Sequence, residues 1–392
     1  MKQSKLILPI IVISQFCCTS LWFAGNSVIT NLIKEFNLND NALGDLTSSV
    51  QFGFIIGTLI FAIMAIADRF SPSKVFLISA ILGAFFNLII INEANNFTSL
   101  IVCRFLTGFF LAGIYPVGMK IAADYFNKGL GKSLGFLVGA LVLGTALPHL
   151  LKDLTQTYSW KSVIIATSSL STFGGLLMFV LVPDGPYRKP NKNLNLLACF
   201  SVFKNRNFRS IALVYFGHMW ELYAFWTFVP LMLTKYSINY TQTNFNIPLL
   251  SFVIIGIGGV ACVIGAYIAE FLGTKKTAAI ALLLSCCCCI LSPFVFSIEN
   301  KILFIGFLVF WGMVVIADSP LLSTLIAQNV KGEIKATALT IVNSIGYLVT
   351  IISIQFVSKF IEITDSNYIF FILAIGPILG LASLKMNKSK KV

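Results

Sequence analysis

The chain has 392 residues, of which 57% are hydrophobic and only 11% charged, with a formal charge of +13; its mean hydropathy is +0.89. A soluble domain carries about 25% charged residues, so a chain this apolar cannot clothe its surface for water, and a bilayer is the expected solvent. The positive balance does not call for nucleic acid, because the basic residues are spread along short turns where they face anionic headgroups.

Apolar runs of about 20 residues, the length that crosses a bilayer as a helix, lie near 7–30, 46–66, 75–92, 99–122, 133–152, 161–182, 210–234, 248–270, 277–295, 302–326, 336–357 and 368–384. Twelve such runs, called spans 1 to 12 below, predict an all-α polytopic membrane protein. Nothing resembles the alternating segments of about ten residues that a strand barrel needs. The first run is longer than a signal-peptide core and is expected to be retained as a span. Lys and Arg concentrate in the connections on one side, for example Lys2, Lys5, Arg69, Lys74, Lys128, Lys132, Lys275, Lys276, Lys385 and Lys388. That bias places both termini in the cytoplasm, with a bacterial inner membrane as the expected host.

The longest connection, 183–209, contains DGPYRKPNKN and divides the chain into an N-terminal six-helix bundle, 1–182, and a C-terminal one, 210–392. The halves repeat. Ala67–Lys74 after span 2 pairs with Ala269–Lys276 after span 8, and Gly57 pairs with Gly259, at an offset of 202. Lys128-Gly129-x-x-Lys132 after span 4 pairs with Lys331-Gly332-x-x-Lys335 after span 10 at 203, Pro116 with Pro320 at 204, and Lys34 with Lys235 at 201. Two halves in parallel repeat are a transporter architecture.

Asp68-Arg69 after span 2, with Met64 and Ser71-Pro72-Ser73 where glycine and Gly-Arg-Arg/Lys are usual, and Arg104-x-x-x-Gly108 in span 4 resemble two signatures of the major facilitator superfamily. Gly135, Gly139, Gly144 and Pro148 of span 5 form a loose version of the glycine-rich signature of drug–proton antiporters. The resemblance implies two pseudo-symmetric bundles that expose a central site alternately to each side, with spans 1, 4, 7 and 10 broken or bent around it. Gly113 and Pro116 in span 4, Pro320 in span 10, and an end of span 7 at Pro230 fit that expectation. The resemblance also implies that Asp68 and Arg69 form a cytoplasmic gate, and that Arg104 takes part in proton transfer.

Several side chains are out of keeping with hydrocarbon. Glu221 lies about twelve residues into span 7, where a charge costs about 2.5–3.5 kcal/mol on insertion scales. It is expected to face a wet cavity and to serve coupling or recognition. His218, three residues earlier, shares its helix face and is placed to relay a proton to it. Arg104 and Asp318 are also deep and require a partner or a watered niche. Lys120 and Asp124, one turn apart, can pair or reach the interface. Trp22 in span 1, Tyr115 in span 4 and the stripe Trp220, Tyr223 and Trp226 in span 7 are candidates to line a solute cavity, with Gln15 and Asn26 supplying hydrogen bonds.

Of the nine cysteines none falls in an outer loop, and the four of the run Cys286–Cys289 point all around their helix and cannot converge on one metal. With two distant histidines and no nucleophile–base cluster, an enzyme is not expected; neither is a cofactor. The expected function is a monomeric secondary active transporter of a small solute, coupled to protons or another ion. Symport is favoured, efflux by antiport is the alternative, and a non-transporting membrane sensor is the reading from another class.

Overall fold

A computed structural model describes residues 6–39, 41–126, 130–188, 202–240, 244–330, 335–364, 366 and 368–385, and every regular element among them is a helix. The stretch 189–201 of the 183–209 connection lies outside the described residues, as do Lys128, Gly129, Lys331 and Gly332 of the Lys-Gly-x-x-Lys repeats. Nine helices among the described residues are long and apolar enough to cross a membrane. The other three expected runs hold two shorter helical segments, Ile7–Thr19 and Ile369–Leu384, and one long helix, Arg206–Asn239. Large apolar side chains such as Phe52, Phe85, Phe173, Leu283 and Phe356 stand exposed on these helices. In water that would be an aggregation surface; in lipid it costs nothing, which answers the composition.

The chain forms two compact units. One comprises Met1–Asn193 with Asn246–Gly259, the other Leu194–Phe245 with Val260–Val392.

In the first unit, span 1 is broken. Its first helix, Ile7–Thr19, gives way to a turn at Ser20–Phe23 before Ala24–Ser27 and Ile29–Phe36 continue it. Span 4 is broken too, as Phe97–Leu111 and Tyr115–Tyr125. Asn96 starts the first of these with a capping box to Ser99, the reciprocal arrangement that satisfies two orphan donors of a helix N-terminus. Pro116 stands in the first turn of the second helix, where its missing N–H has no cost. Spans 2 and 4 touch through backbone: a Cβ at Gly53 would strike the Phe105 carbonyl, and one at Gly108 the Val50 carbonyl. The glycine of the Arg104-x-x-x-Gly108 signature therefore sets the approach of the helix that carries Arg104.

In the second unit, span 10 repeats the interruption of span 4. Lys301–Val314 ends, Val315–Asp318 turns, and Ser319–Gln328 resumes with Pro320 in its first turn. Asn300 caps the first helix as Asn96 does. Span 7 departs from expectation. It does not end at Pro230 but runs unbroken from Arg206 to Asn239. A proline in mid-helix removes one hydrogen bond, and membrane helices tolerate that where neighbours cover the freed carbonyl.

Candidate functional site

Ionisable side chains gather at two depths of the first unit. Arg104 is the deeper, 1% exposed. Its Nη1 donates to the Leu21 carbonyl and to Asn87 Oδ1, each at 3.2 Å, and its Nη2 to the Trp22 carbonyl at 2.5 Å. The two carbonyls belong to the turn that breaks span 1. Asn87, on span 3, passes the contact on by donating to Thr167 and Ser168 of span 6. Gly25 lies against the guanidinium, so that a Cβ there would sit 3.3 Å from Nε. The partners of Arg104 are thus neutral acceptors on spans 1 and 3, and among the described residues no carboxylate pairs with it.

Near the far end of span 4, Lys120 Nζ lies 2.9 Å from Asp68 and 3.7 Å from Asp124. The expected Lys120–Asp124 pair is therefore joined by the signature aspartate. Arg188 donates to the Asp68 and Phe70 carbonyls at 3.2 and 2.8 Å and pairs with Asp184, which also accepts from Ser71. Arg69 is exposed. The part played by Arg188 and Asp184 was missed in the sequence; their only signal was that they follow span 6, on the charged side of the chain.

Of the candidate cavity residues in this unit, Asn26 donates to Thr47 at 2.8 Å, and Trp22 packs its ring 4.8 Å from Phe54. Tyr115, the first residue after the span 4 break, is buried. Gln15 is wholly buried against Gly118, and its amide makes no hydrogen bond to protein.

The second unit holds the deep acids. Glu221 is 1% exposed and its Oε1 accepts two hydrogen bonds, one from the Ser285 hydroxyl on span 9 and one, at 2.6 Å, from the Trp311 indole on span 10. Neither donor was singled out in the sequence; a serine and a tryptophan in apolar runs carry no pattern until the helices are packed. His218 does not pair with Glu221 as their spacing predicted. Its Nδ1 lies 2.8 Å from Asp318 Oδ1, and both residues are 1% exposed. The contact is at ion-pair distance but off the line of a hydrogen bond, so Asp318 keeps both oxygens without an aligned donor. The span 10 turn makes it possible, because Asp318 leads the helix Ser319–Gln328 and its carbonyl receives the Leu322 N–H at 2.8 Å.

The aromatic stripe of span 7 divides. Tyr223 and Trp226 stack edge to face at 5.2 Å, and the Tyr223 hydroxyl meets that of Tyr347 at 2.9 Å. Trp220 turns away: its indole donates to the Ile372 carbonyl, and its ring packs on Phe356. It is a packing residue between spans 7, 11 and 12. The cleft between Lys235, Tyr236, Phe296 and Phe370, with 280 Å³ of space that includes open solvent, lies some 15 residues along span 7 from Glu221, about 20 Å by helical rise. It is not where the acids are.

Comparison with known proteins fits this geometry. The Major Facilitator Superfamily profile matches residues 11–354. The chain is 30% identical over 166 residues to solute carrier family 22 member 1 of Bos taurus, covering 41% of this chain and 28% of that protein. It is 22% identical over 236 residues to a probable L-galactonate transporter of Escherichia coli, covering 56% and 50%, and 24% identical over 163 residues to the 4-hydroxybenzoate transporter PcaK of Pseudomonas putida, covering 39% and 34%. The match thus spans half or less of each of these relatives. Among solved structures, the human organic anion transporter MFSD10 superposes with a TM-score of 0.77 at 14% identity, and the nucleoside transporter NupG with 0.75 at 16%; each comparison covers 98% of this chain and 100% of the other. A profile match over most of the chain, on a helical fold with the symmetric breaks in spans 4 and 10, establishes that the chain belongs to the Major Facilitator Superfamily of membrane transporters.

Proposed function

We propose that the chain is a proton-coupled symporter that moves a small polar solute across the membrane by alternating access. The observation that carries the reading is the state of the deep charges in the second unit. Glu221 and Asp318 are buried carboxylates that pair with no Lys or Arg among the described residues. A carboxylate kept at such depth without a fixed counter-ion is a group whose charge can be cancelled by a proton. Two of the relatives are named for organic acids, L-galactonate and 4-hydroxybenzoate, and small organic acids are the first candidate solutes. Electrostatics link the two cargoes: protonation removes a negative charge from the unit and lowers the cost of admitting an anion.

Glu221, Asp318 and His218 are the coupling candidates on this reading. Arg104, with its three neutral acceptors, holds the span 1 break in place. Asp68 and Arg69 belong to the cytoplasmic gate, with Asp68 set by Lys120. Trp22, Asn26, Gln15, Tyr115, Tyr223 and Trp226 remain the candidates for contact with solute. The chain works in a bacterial inner membrane with both termini cytoplasmic and as a monomer.

The test is flux into proteoliposomes holding the purified chain. Radiolabelled organic acids, L-galactonate and 4-hydroxybenzoate among them, are presented with an inward proton gradient, with none and with an outward one. Symport predicts accumulation under the inward gradient that approaches tenfold per pH unit, since each 1.4 kcal/mol is tenfold, and its collapse with a protonophore. Accumulation driven only by the outward gradient indicates antiport; flux indifferent to both rejects proton coupling.

A further inference from the structure

We infer, building on the proton-coupled reading above, that the coupling proton is exchanged at the Asp318–His218 pair and that Glu221 is a positioning residue. The two acids of the second unit differ in what surrounds them. Glu221 is clamped from two other helices by the Ser285 hydroxyl and the Trp311 indole, with the Cys289 thiol beside it as a further hydrogen-bond partner. An indole donates and never accepts. Donors converging on one carboxylate oxygen hold the side chain in place, and the clamp fastens span 7 to spans 9 and 10.

Asp318 has the opposite surroundings. Its neighbour is an imidazole, which both donates and accepts. Asp318 Oδ2 and His218 Nε2 are buried and have no protein hydrogen-bond partner. Two unpartnered polar atoms, one on each side of a 2.8 Å contact, are the ends of a path that water completes. A proton delivered by water to His218 Nε2 forms the imidazolium. The ring turns to bring Nδ1–H into line with Asp318 Oδ1, and the Nδ1–H bond breaks as a bond from that hydrogen to Oδ1 forms. The products are a neutral carboxylic acid and the neutral Nε2–H imidazole, one proton having crossed the ring. Release from Asp318 to water on the other side, with return of the ring to its first tautomer, completes the cycle.

The groups around the pair do not supply a competing cation. From span 8, Cys262 donates to the Ile316 carbonyl and lies within reach of the Asp318 charge, as does Glu221 from span 7. Tyr215 places its ring 6.1 Å from His218, and span 11 meets Tyr215 and Met219 with the bare backbone of Gly346. Among the described residues no Lys or Arg pairs with either member. Asp318 also sits in the turn that breaks span 10, so the change of charge falls on an element with two halves that can move separately.

The assignment is tested on the purified full-length chain in lipid films by infrared difference spectroscopy over a pH series. The readout is the C=O stretch of a protonated carboxyl group, which needs no knowledge of the solute. Asp318→Asn is expected to abolish the band that follows pH. Asp318→Glu should retain it at a displaced frequency. His218→Gln should leave the band but slow its appearance after a pH jump by about a hundredfold, the lower end of what a positioned acid–base group contributes. Glu221→Gln should lower the unfolding temperature while the band and its midpoint stay, a pattern a proton carrier would not give. Each variant is first shown to be monodisperse, and Asp318→Glu keeps the test valid where Asp318→Asn misfolds. A titrating band that survives Asp318→Asn and disappears in Glu221→Gln overturns the assignment while leaving proton-driven flux intact. Flux that ignores every proton gradient overturns the coupling reading instead, and the inference with it.

Discussion

Arg104 in the first unit and Glu221 and Asp318 in the second are all deeply buried, yet they are solvated in opposite ways. Arg104 meets two backbone carbonyls and an amide oxygen. Its charge does not change, since a guanidinium keeps its proton in proteins, and it ties span 4 to both carbonyls of the span 1 turn. In the second unit, span 7 passes the equivalent depth unbroken and carries Glu221 where span 1 has its turn. Asp318 sits in the span 10 break, next to a histidine. Spans 4 and 10 break alike, spans 1 and 7 do not, and the side chains at these places differ in charge. The 204 offset puts Leu308 opposite Arg104, buried and apolar, so this polarity is not inherited from the repeat.

The largest effect that can break this comparison is on Arg104. Arg104→Leu copies the second unit's residue into the first and leaves the Leu21 and Trp22 carbonyls and Asn87 Oδ1 without a donor. Each buried orphan costs about 1–3 kcal/mol, so the loss of stability is expected to reach about 3 kcal/mol or more, read as a fall in the unfolding temperature in detergent. Arg104→Lys should recover only part of it, because one ammonium cannot span three acceptors. An Arg104→Lys protein with full stability but no proton-driven flux would reverse the contrast and place a carrier in the first unit.

A smaller effect sharpens the comparison at the turns that follow spans 2 and 8. Ala65 is held at φ 49°, in the left-handed region, whereas the second unit turns on Gly273 at φ 85°. A left-handed alanine costs about 1–2 kcal/mol. Ala65→Gly should therefore stabilise the first unit by about 1 kcal/mol, after the added flexibility of the unfolded chain is counted. Replacing Gly273 with Ala should destabilise by a similar amount, and equal unfolding temperatures for all three proteins would show that neither turn is strained.

How far these features were legible in the sequence depends on the range of the interaction behind them. Helix class, the repeat and the breaks in spans 4 and 10 follow from local signals: apolar run length, matched charged turns, and Pro116 and Pro320 in first turns. Pro230 misled, because its local preference is to end a helix and the helix continues past it to Asn239. The partner choices were not legible. His218 and Glu221 share a face of one helix, which made them a pair on spacing alone. Packing instead brought Asp318 from span 10 to His218, and Ser285 and Trp311 to Glu221. Partners 64 to 100 residues apart leave no periodic trace, and serine or tryptophan in an apolar run gives no hint of which helix it will face.

The smallest effect lies at the rim of the first unit. If that unit keeps no titratable group in its interior that responds near neutral pH, its acid response comes from surface carboxylates such as Glu93. Lys161 donates to Glu93 at 2.7 Å, and that hydrogen bond together with the lysine's charge holds the Glu93 carboxyl below its ordinary range. A depressed carboxyl contributes stability above its unfolded pKa and loses it as pH falls through the folded value. Glu93→Gln should thus lower the unfolding temperature slightly at neutral pH and not at all once the medium is acid enough to protonate Glu93 in the folded chain. The pair is exposed to solvent and its effect is screened by salt, so the difference should also shrink at high ionic strength. A Glu93→Gln difference that is unchanged between neutral and acid pH would assign the loss to packing rather than charge, and would remove the rim from the acid response of this unit.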